Sequence, residues 1–141
     1  MLQQKALDFL ARREHSEFEL KQKLIRRDFI PEEIDALLNS LKEKGLLNEE
    51  RFTQSYISRR SKLGFGPKHI AQGLKQCGIK VLPDLVLDEE NVYWEDLLKK
   101  VWLKKFKILP ASSEDYVRQM RFLLQRGFNS NQIRKAFRNP S

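Results

Sequence analysis

The chain of 141 residues contains one cysteine, Cys77, and two histidines, His15 and His69. A single cysteine excludes a disulfide within the chain and fits a reducing compartment. One thiol and two imidazoles cannot supply the four ligands of a structural zinc site, so we predict no metal and no cofactor. Cys77 lies at helical spacing from the apolar residues Ile70 and Leu74, which favours a structural thiol over a nucleophile.

Long apolar runs and common catalytic motifs are also absent. No apolar stretch approaches the roughly 18 residues that a membrane helix requires, and Met1–Lys5 leads into a predicted helix without a signal segment. We therefore expect a cytoplasmic protein that does not bind membranes. The sequence has neither a Walker-type phosphate loop nor a serine elbow, and we do not expect an enzyme. Gly64–Lys68 resembles a phosphate cradle, but a Gly-Pro helix start explains the same residues.

Carboxylates are missing from one long segment of the chain. Residues 1–47, 48–90 and 91–141 have net charges of 0, +1 and +7, which add up to the +8 of the whole chain. Between Arg51 and Lys80 there are seven cations and no acidic residue. An unneutralised basic surface predicts an anionic partner, either nucleic acid or an acidic protein surface. The alternative is that the excess charge only keeps a small protein soluble.

Three segments of similar sequence recur along the chain. Leu24–Phe29, Leu74–Ile79 and Leu123–Phe128 follow one another at spacings of 50 and 49 residues. Each begins with leucine, ends with an apolar residue and has aspartate or glycine fifth, which suits a helix that ends in a left-handed turn. A period near fifty indicates stacked helical units with a shared binding surface. We predict an all-α protein of three tandem three-helix repeats resembling helix-turn-helix units, at residues 1–47, 48–90 and 91–141.

Capping residues place the helix starts within these repeats. Ser16 with Glu19 and Ser112 with Asp115 fit capping boxes, and Asn48 is a further predicted cap. His15, which precedes the first of these caps, is expected to lie at the surface.

Helical spacing assigns buried and exposed faces. In the last repeat it predicts that Val117, Met120 and Leu124 point inward, and that Arg118 and Arg121 point outward. A second set at helical spacing is expected in the core because its members are aromatic or aliphatic. This set consists of Tyr93, Trp94, Leu98, Val101 and Trp102.

The sequence also resembles the bacterial RecX regulatory proteins, which modulate the RecA recombinase. The resemblance covers essentially the whole chain, and its four pieces occur in the family's order. They are Ala11–Ser16 with Glu19, Leu20, Lys23 and Leu24; Gly45–Phe52; Gly64–Pro67 with Ile70 and Leu74; and Arg121–Phe128.

The resemblance implies a curved, all-helical protein of three units that binds the RecA filament on DNA along its groove. We separately expect an elongated array of repeats and a monomer. It further implies restraint of ATP hydrolysis, strand exchange and the stimulation of repressor self-cleavage in the SOS response to DNA damage. Direct contact with DNA is a further expectation. We expect the basic residues of the second and third repeats to contact filament carboxylates or DNA phosphates. The predicted partner-binding residues are Arg59, Arg60, Lys62, Lys68, Lys75, Arg118, Arg121 and Arg126.

Two other functional classes remain open from the sequence. A helical module that binds DNA directly, without RecA, fits the charge and the three-helix units. Its affinity for bare DNA would fall steeply with salt. An enzyme built around Cys77 would lose activity in the variant Cys77→Ala while keeping its fold. For Arg126, neutralisation of a helix C-terminus is the structural alternative to partner binding.

Overall fold

The computed structural model describes residues 1–140, which form nine helices and no strand. The predicted all-α fold is therefore confirmed. The sixth helix is only four residues long, and Pro83 at its N-cap prevents it from extending toward the N-terminus. The helices are α1 (Leu2–Arg12), α2 (Glu17–Ile25), α3 (Pro31–Glu43), α4 (Glu49–Lys62), α5 (Pro67–Gln76), α6 (Asp84–Leu87), α7 (Val92–Lys105), α8 (Ser113–Gln125) and α9 (Ser130–Arg138).

The chain divides into two compact units. The first unit comprises residues 1–56 and 74–80, and the second comprises residues 57–73 and those from 81 onward. The core of the first unit contains Ala6, Phe9, Leu20, Leu24, Ile34, Leu38, Leu41 and Leu47, and that of the second contains Leu98, Trp102, Leu123, Phe128, Ile133 and Ala136. The repeat boundaries at residues 47 and 90 remain a prediction.

Helices α2, α5 and α8 end in the same way. Their exits have left-handed backbones with φ of 67° at Asp28, 84° at Gly78 and 102° at Gly127. In each case the N–H of the following apolar residue donates back to a leucine carbonyl five residues earlier, which is the Schellman arrangement. The bonds join Phe29 to Leu24, Ile79 to Leu74 and Phe128 to Leu123, at N–O distances of 3.4, 3.0 and 3.3 Å. The three helix ends predicted from the sequence are confirmed.

In the first unit, the start of α2 packs directly on the end of α5. The predicted capping box of Ser16 and Glu19 is present, and the Ser16 hydroxyl also donates to the carbonyl oxygen of Cys77 at 2.7 Å. A Cβ atom added at Gly78 would lie 2.6 Å from the Cβ of Phe18. The glycine therefore serves both the left-handed turn and the close approach of α2.

In the second unit, the start of α5 packs on the end of α8 in a corresponding way. The N–H groups of Gly66 and Lys68 donate to the carbonyl oxygens of Arg126 and Gly127 at 2.7 and 3.0 Å. A Cβ atom added at Gly127 would lie 2.6 Å from the backbone nitrogen of His69. Each unit thus contains a helix start that packs on a Schellman end about 60 residues later in the chain.

His15 is buried, so the expectation of a surface position was wrong. Its Nδ1 lies 3.0 Å from the carbonyl oxygen of Arg13, and its Nε2 lies 2.7 Å from Nζ of Lys23. The chain turns back between α1 and α2, and the turn brings the imidazole beside the ring of Phe9, with 6.0 Å between the ring centroids. These contacts fit a neutral imidazole that donates from Nδ1 and accepts at Nε2.

The buried face of α8 also differs from the predicted one. Val117 and Leu124, which we expected inside, are 51% and 44% exposed, and Met120 is half-buried. Leu123 is fully buried in their place, whereas Arg118 and Arg121 are exposed as predicted.

A buried polar side chain explains why α8 buries a different face from the one predicted. Gln119 is 1% exposed, and its Oε1 accepts a hydrogen bond from Nε1 of Trp102 at 2.7 Å. Its Nε2 donates to the carbonyl oxygen of Ile108 at 3.3 Å. Because both ends of the amide have partners, glutamine can occupy the core face at little cost.

The aromatic and aliphatic set of α7 follows the prediction with one exception. Trp94, Leu98 and Trp102 are buried and Val101 is half-buried, but Tyr93 is 41% exposed. Tyr93 lies in the first turn of α7, with its ring edge-on to Trp94 at 4.9 Å between centroids. The exposed part of Tyr93 can therefore meet solvent or a partner.

Candidate partner-binding surface

Phe65 forms the centre of a cationic cluster in the second unit. Its ring stacks on the imidazole of His69, with 4.0 Å between centroids and 11° between planes. The guanidinium carbons of Arg126 and Arg60 lie 4.9 and 5.7 Å from the Phe65 centroid. Cation–π attraction therefore holds two guanidinium groups near one ring.

Arg126 makes structural contacts within the second unit. It is the C-cap residue of α8, and its Nη1 donates to the carbonyl oxygen of Leu63, beyond the end of α4, at 3.2 Å. Its guanidinium also lies 5.3 Å from the ring centroid of Phe122. Arg126 therefore ties the end of α8 to the end of α4, and its substitution would affect packing as well as charge.

His69 contributes little charge to the cluster near neutral pH. Burial lowers the pKa of His69 below its ordinary value of 6.5, and the neighbouring charges of Arg60 and Arg126 lower this pKa further. Its Nδ1 is buried and has no hydrogen-bond partner among the described residues. The positive charge of the cluster therefore comes from the two arginines.

Beside this cluster lies a groove of about 660 Å³, called here the α4–α7 groove. All its lining residues belong to the second unit. Five of them are basic and only Asp96 is acidic, while the remaining walls are largely apolar. The lining residues are Ser61, Lys62, Leu63, Gly64, Tyr93, Asp96, Leu97, Lys100, Val101, Lys104, Lys105, Phe122 and Arg126.

The predicted partner-binding residues fall into separate places. Lys62 and Arg126 line the groove, and Arg60 joins Arg126 at Phe65. Arg59 and Lys68 are exposed in the second unit, whereas Lys75 is exposed in the part of α5 that belongs to the first unit.

The two predicted arginines of α8 do not line the groove. Arg118 forms an ion pair with Asp115, and its guanidinium lies 5.1 Å from the ring centroid of Phe106. Arg121 borders a separate shallow depression with Met120 and Leu124.

Sequence reasoning missed three basic residues of the groove, Lys100, Lys104 and Lys105. Lys100 and Lys104 are exposed one helical turn apart, and Nζ of Lys105 lies 5.3 Å from the ring centroid of Phe122. The charge of +7 in residues 91–141 was the available signal. The acid-free run from Arg51 to Lys80 indicates the second repeat, and the residues predicted in the third repeat were arginines rather than the lysines of α7.

The resemblance of Gly64–Lys68 to a phosphate cradle has a structural explanation. The N–H groups of Gly66 and Lys68 are bonded to carbonyl oxygens at the end of α8. The N–H of Phe65 donates to the carbonyl oxygen of Arg60 at 3.1 Å. These donors are therefore occupied by the protein and are not free for a phosphate.

The described part of the chain contains no group of three or more histidine, cysteine or acidic side chains that could hold a metal ion. Cys77 is half-buried at the end of α5. Among residues 1–140 no helix is both long enough and apolar enough to cross a membrane.

Family models match both ends of the chain. The model described as RecX, first three-helix domain, matches residues 4–41, and the model described as RecX, third three-helix domain, matches residues 93–137. The matched regions contain α2 and α8, two of the three helices with the Schellman end. Together they cover more than half of the chain.

Relatives and solved structures agree with these matches. The regulatory protein RecX of Pseudomonas fluorescens is 42% identical over 130 residues, covering 91% of this chain and 84% of the relative. That of Halorhodospira halophila is 41% identical over 133 residues, covering 93% and 83%.

A crystal structure of a regulatory protein RecX aligns with a TM-score of 0.75 and 26% identity, over 95% of this chain and 72% of that one. RecX from Lactobacillus salivarius has the same fold, with a TM-score of 0.76 and 21% identity over 99% of this chain and 94% of that one. The relatives are named as regulatory proteins rather than enzymes, and this chain belongs to the RecX family.

Proposed function

We propose that this protein binds the RecA filament on DNA and inhibits ATP hydrolysis, strand exchange and the stimulation of repressor self-cleavage. Membership of the RecX family is the observation that carries the proposal. The charge of the chain is consistent with it, because both DNA phosphates and protein carboxylates are anionic and the chain has a net charge of +8.

The proposed interface consists of the eight basic residues predicted from the sequence. Seven of them belong to the second unit, and most of their side chains are exposed. Each exposed ion pair would contribute little alone, about 0–1 kcal/mol. Several contacts made together would combine through effective concentration, which suits a repeat protein binding a repeating filament.

Charge reversal tests the interface with a matched control. The variant Lys62→Glu/Lys68→Glu changes two exposed side chains in α4 and α5. We expect it to reduce binding to RecA filaments, measured by co-sedimentation, by at least about tenfold. The control Arg134→Glu/Arg138→Glu makes the same charge change on exposed residues of α9 that were not predicted to bind. Equal loss of binding in both variants would show that net charge alone matters.

Direct DNA binding is the competing function, and the acid-free run from Arg51 to Lys80 is the observation that favours it. Fluorescence anisotropy on a labelled single strand at two salt concentrations, without RecA, separates the two functions. We expect binding to bare DNA to be much weaker than binding to the filament. Tight binding that falls steeply with salt would favour a DNA-binding module.

A further inference from the structure

The α4–α7 groove has a strong excess of unneutralised positive charge. Lys62, Lys100 and Lys104 are exposed, and Lys105 is held over Phe122. Within residues 1–140, none of these four lysines has a carboxylate partner. The neighbouring Lys99 pairs with Glu95 in the same helix. The other three lysines of α7 have no carboxylate partner among the described residues. A groove of this charge favours an anionic ligand.

The apolar part of the groove points to a side chain rather than a nucleic-acid base. Leu63 is 63% exposed, and Leu97 and Val101 are half-buried. Aliphatic walls of this kind bury an apolar side chain well but give a base no ring to stack on. Leu63, Leu97 and Val101 therefore form a small apolar patch that a partner can cover.

Only one of the two aromatic rings that line the groove is open to a partner, whereas single-strand binding sites stack successive bases on several rings. The ring of Phe122 has the cations of Lys105 and Arg126 over it, each 5.3 Å from its centroid. Phe106 packs edge-on against the same ring, at 5.4 Å between centroids. Tyr93 is therefore the one lining ring with a substantially exposed surface.

Asp96 is the one acidic residue among those that line the groove. Its carboxylate is exposed in the groove and can accept a hydrogen bond from a peptide N–H. The peptide's own carboxylates would lie beside the lysines, while Asp96 accepts from the peptide backbone.

We propose that the α4–α7 groove binds an acidic peptide segment of a protein partner, with one large apolar side chain of the peptide against Leu63, Leu97 and Val101. The lysines around the groove contact the carboxylates of the peptide, and the apolar contact supplies the specificity that charge alone cannot. The inference rests on the proposed function for the expectation that the partner is a protein. It concerns the second unit alone and can be tested without RecA.

The experiment is a fluorescence-anisotropy titration of the full chain with a labelled peptide of sequence EEDELFDEEE. The first comparison peptide, EEDESSDEEE, has the same charge and lacks the apolar pair. The second probe is a labelled oligothymidylate of ten nucleotides. We expect the apolar acidic peptide to bind at least about tenfold more tightly than either probe. Equal binding of the two peptides, or tighter binding of the oligonucleotide, would overturn the inference.

Variants locate the binding to the groove. Leu63→Ser removes an exposed apolar contact and is expected to weaken the apolar peptide about tenfold while leaving the serine peptide unchanged. Lys100→Glu/Lys104→Glu should weaken both peptides, whereas the matched reversal Arg134→Glu/Arg138→Glu should not do so to the same extent. Circular dichroism checks that each variant is folded. Loss of binding in the α9 control equal to that in the groove variant would overturn the assignment to the groove.

The filament assay separates this inference from the proposed function. Tight, groove-dependent peptide binding with no binding to RecA filaments would uphold the groove and refute the filament role. Filament binding with no preference for the apolar peptide would uphold the filament role and refute the groove as a peptide site.

Discussion

Substitution of Gly78 by alanine tests the packing of α2 on the end of α5. Gly78 has φ of 84°, and a Cβ atom there would lie 2.6 Å from the Cβ and 3.1 Å from the Cγ of Phe18. Gly45 is the matched control because it lies in the same unit, has φ of 74° and has nothing within 4 Å of an added Cβ. The two substitutions share the backbone strain and differ in the close approach.

The expected magnitudes follow from this comparison. A left-handed backbone costs a residue other than glycine about 1–2 kcal/mol, so Gly45→Ala should reduce the free energy of unfolding by that amount. In Gly78→Ala the new Cβ atom would lie 2.6 Å from the Cβ of Phe18, well below the 3.4 Å at which ordinary van der Waals contact begins. The substitution therefore requires α2 to move. That movement would strain the hydrogen bond from Ser16 to Cys77, and overpacking typically costs about 1–3 kcal/mol. We therefore expect a total of about 2–5 kcal/mol for Gly78→Ala.

Urea unfolding followed by circular dichroism measures both variants. The difference between them, about 1–3 kcal/mol, isolates the cost of the close approach. Equal destabilisation by the two substitutions would refute the inference that α2 is packed tightly against Gly78.

Two further predictions concern buried polar groups. Burial lowers the pKa of His15 below its ordinary value of 6.5, so the unfolded chain binds the proton more readily. The free energy of unfolding should therefore fall as pH falls through 6.5. Urea unfolding at several pH values should show that this fall is smaller in the variant His15→Gln. The same pH dependence in the variant and the unmodified protein would contradict the prediction. Gln119→Leu leaves the indole N–H of Trp102 buried without its acceptor and should cost about 1–3 kcal/mol, followed by tryptophan fluorescence. Gln125→Leu, on the exposed side of the same helix, should change stability by no more than about 0.5 kcal/mol, and an equal effect of the two would contradict the prediction.

Local signals in the sequence predicted the helix ends well. Glycine or aspartate after a helical stripe leaves few backbone alternatives, and the left-handed turns at Asp28, Gly78 and Gly127 are present as predicted. The cap at Ser16 was equally predictable, because the residues that satisfy it lie within one turn. Signals of this kind need no knowledge of distant contacts.

Features that depend on distant partners were not predictable in the same way. The spacing of apolar residues alone places Val117 and Leu124 in the core. The hydrogen bond from Trp102 that allows Gln119 to be buried joins two helices and leaves no local signal in the sequence. The burial of His15 likewise depends on a turn that brings it beside Phe9.

The candidate site was only partly predictable for the same reason. The sequence indicates an excess of positive charge but not which cations share a surface. Lys62 of α4 and Lys104 of α7 line one groove although they are far apart in the sequence. Asp96 and the aliphatic wall at Leu63 share this groove because of how α4 and α7 pack in the second unit, which the sequence does not indicate.

The most direct test of the proposed function is the DNA-dependent ATPase of RecA with this protein titrated from sub-stoichiometric to equimolar ratios. Binding to the filament predicts inhibition already at ratios well below one protein per RecA subunit. The charge-reversed variant Lys62→Glu/Lys68→Glu should require a higher ratio, and Arg134→Glu/Arg138→Glu should behave as the unmodified protein. An ATPase rate that stays unchanged up to equimolar protein would contradict the role of this chain as an inhibitor of RecA.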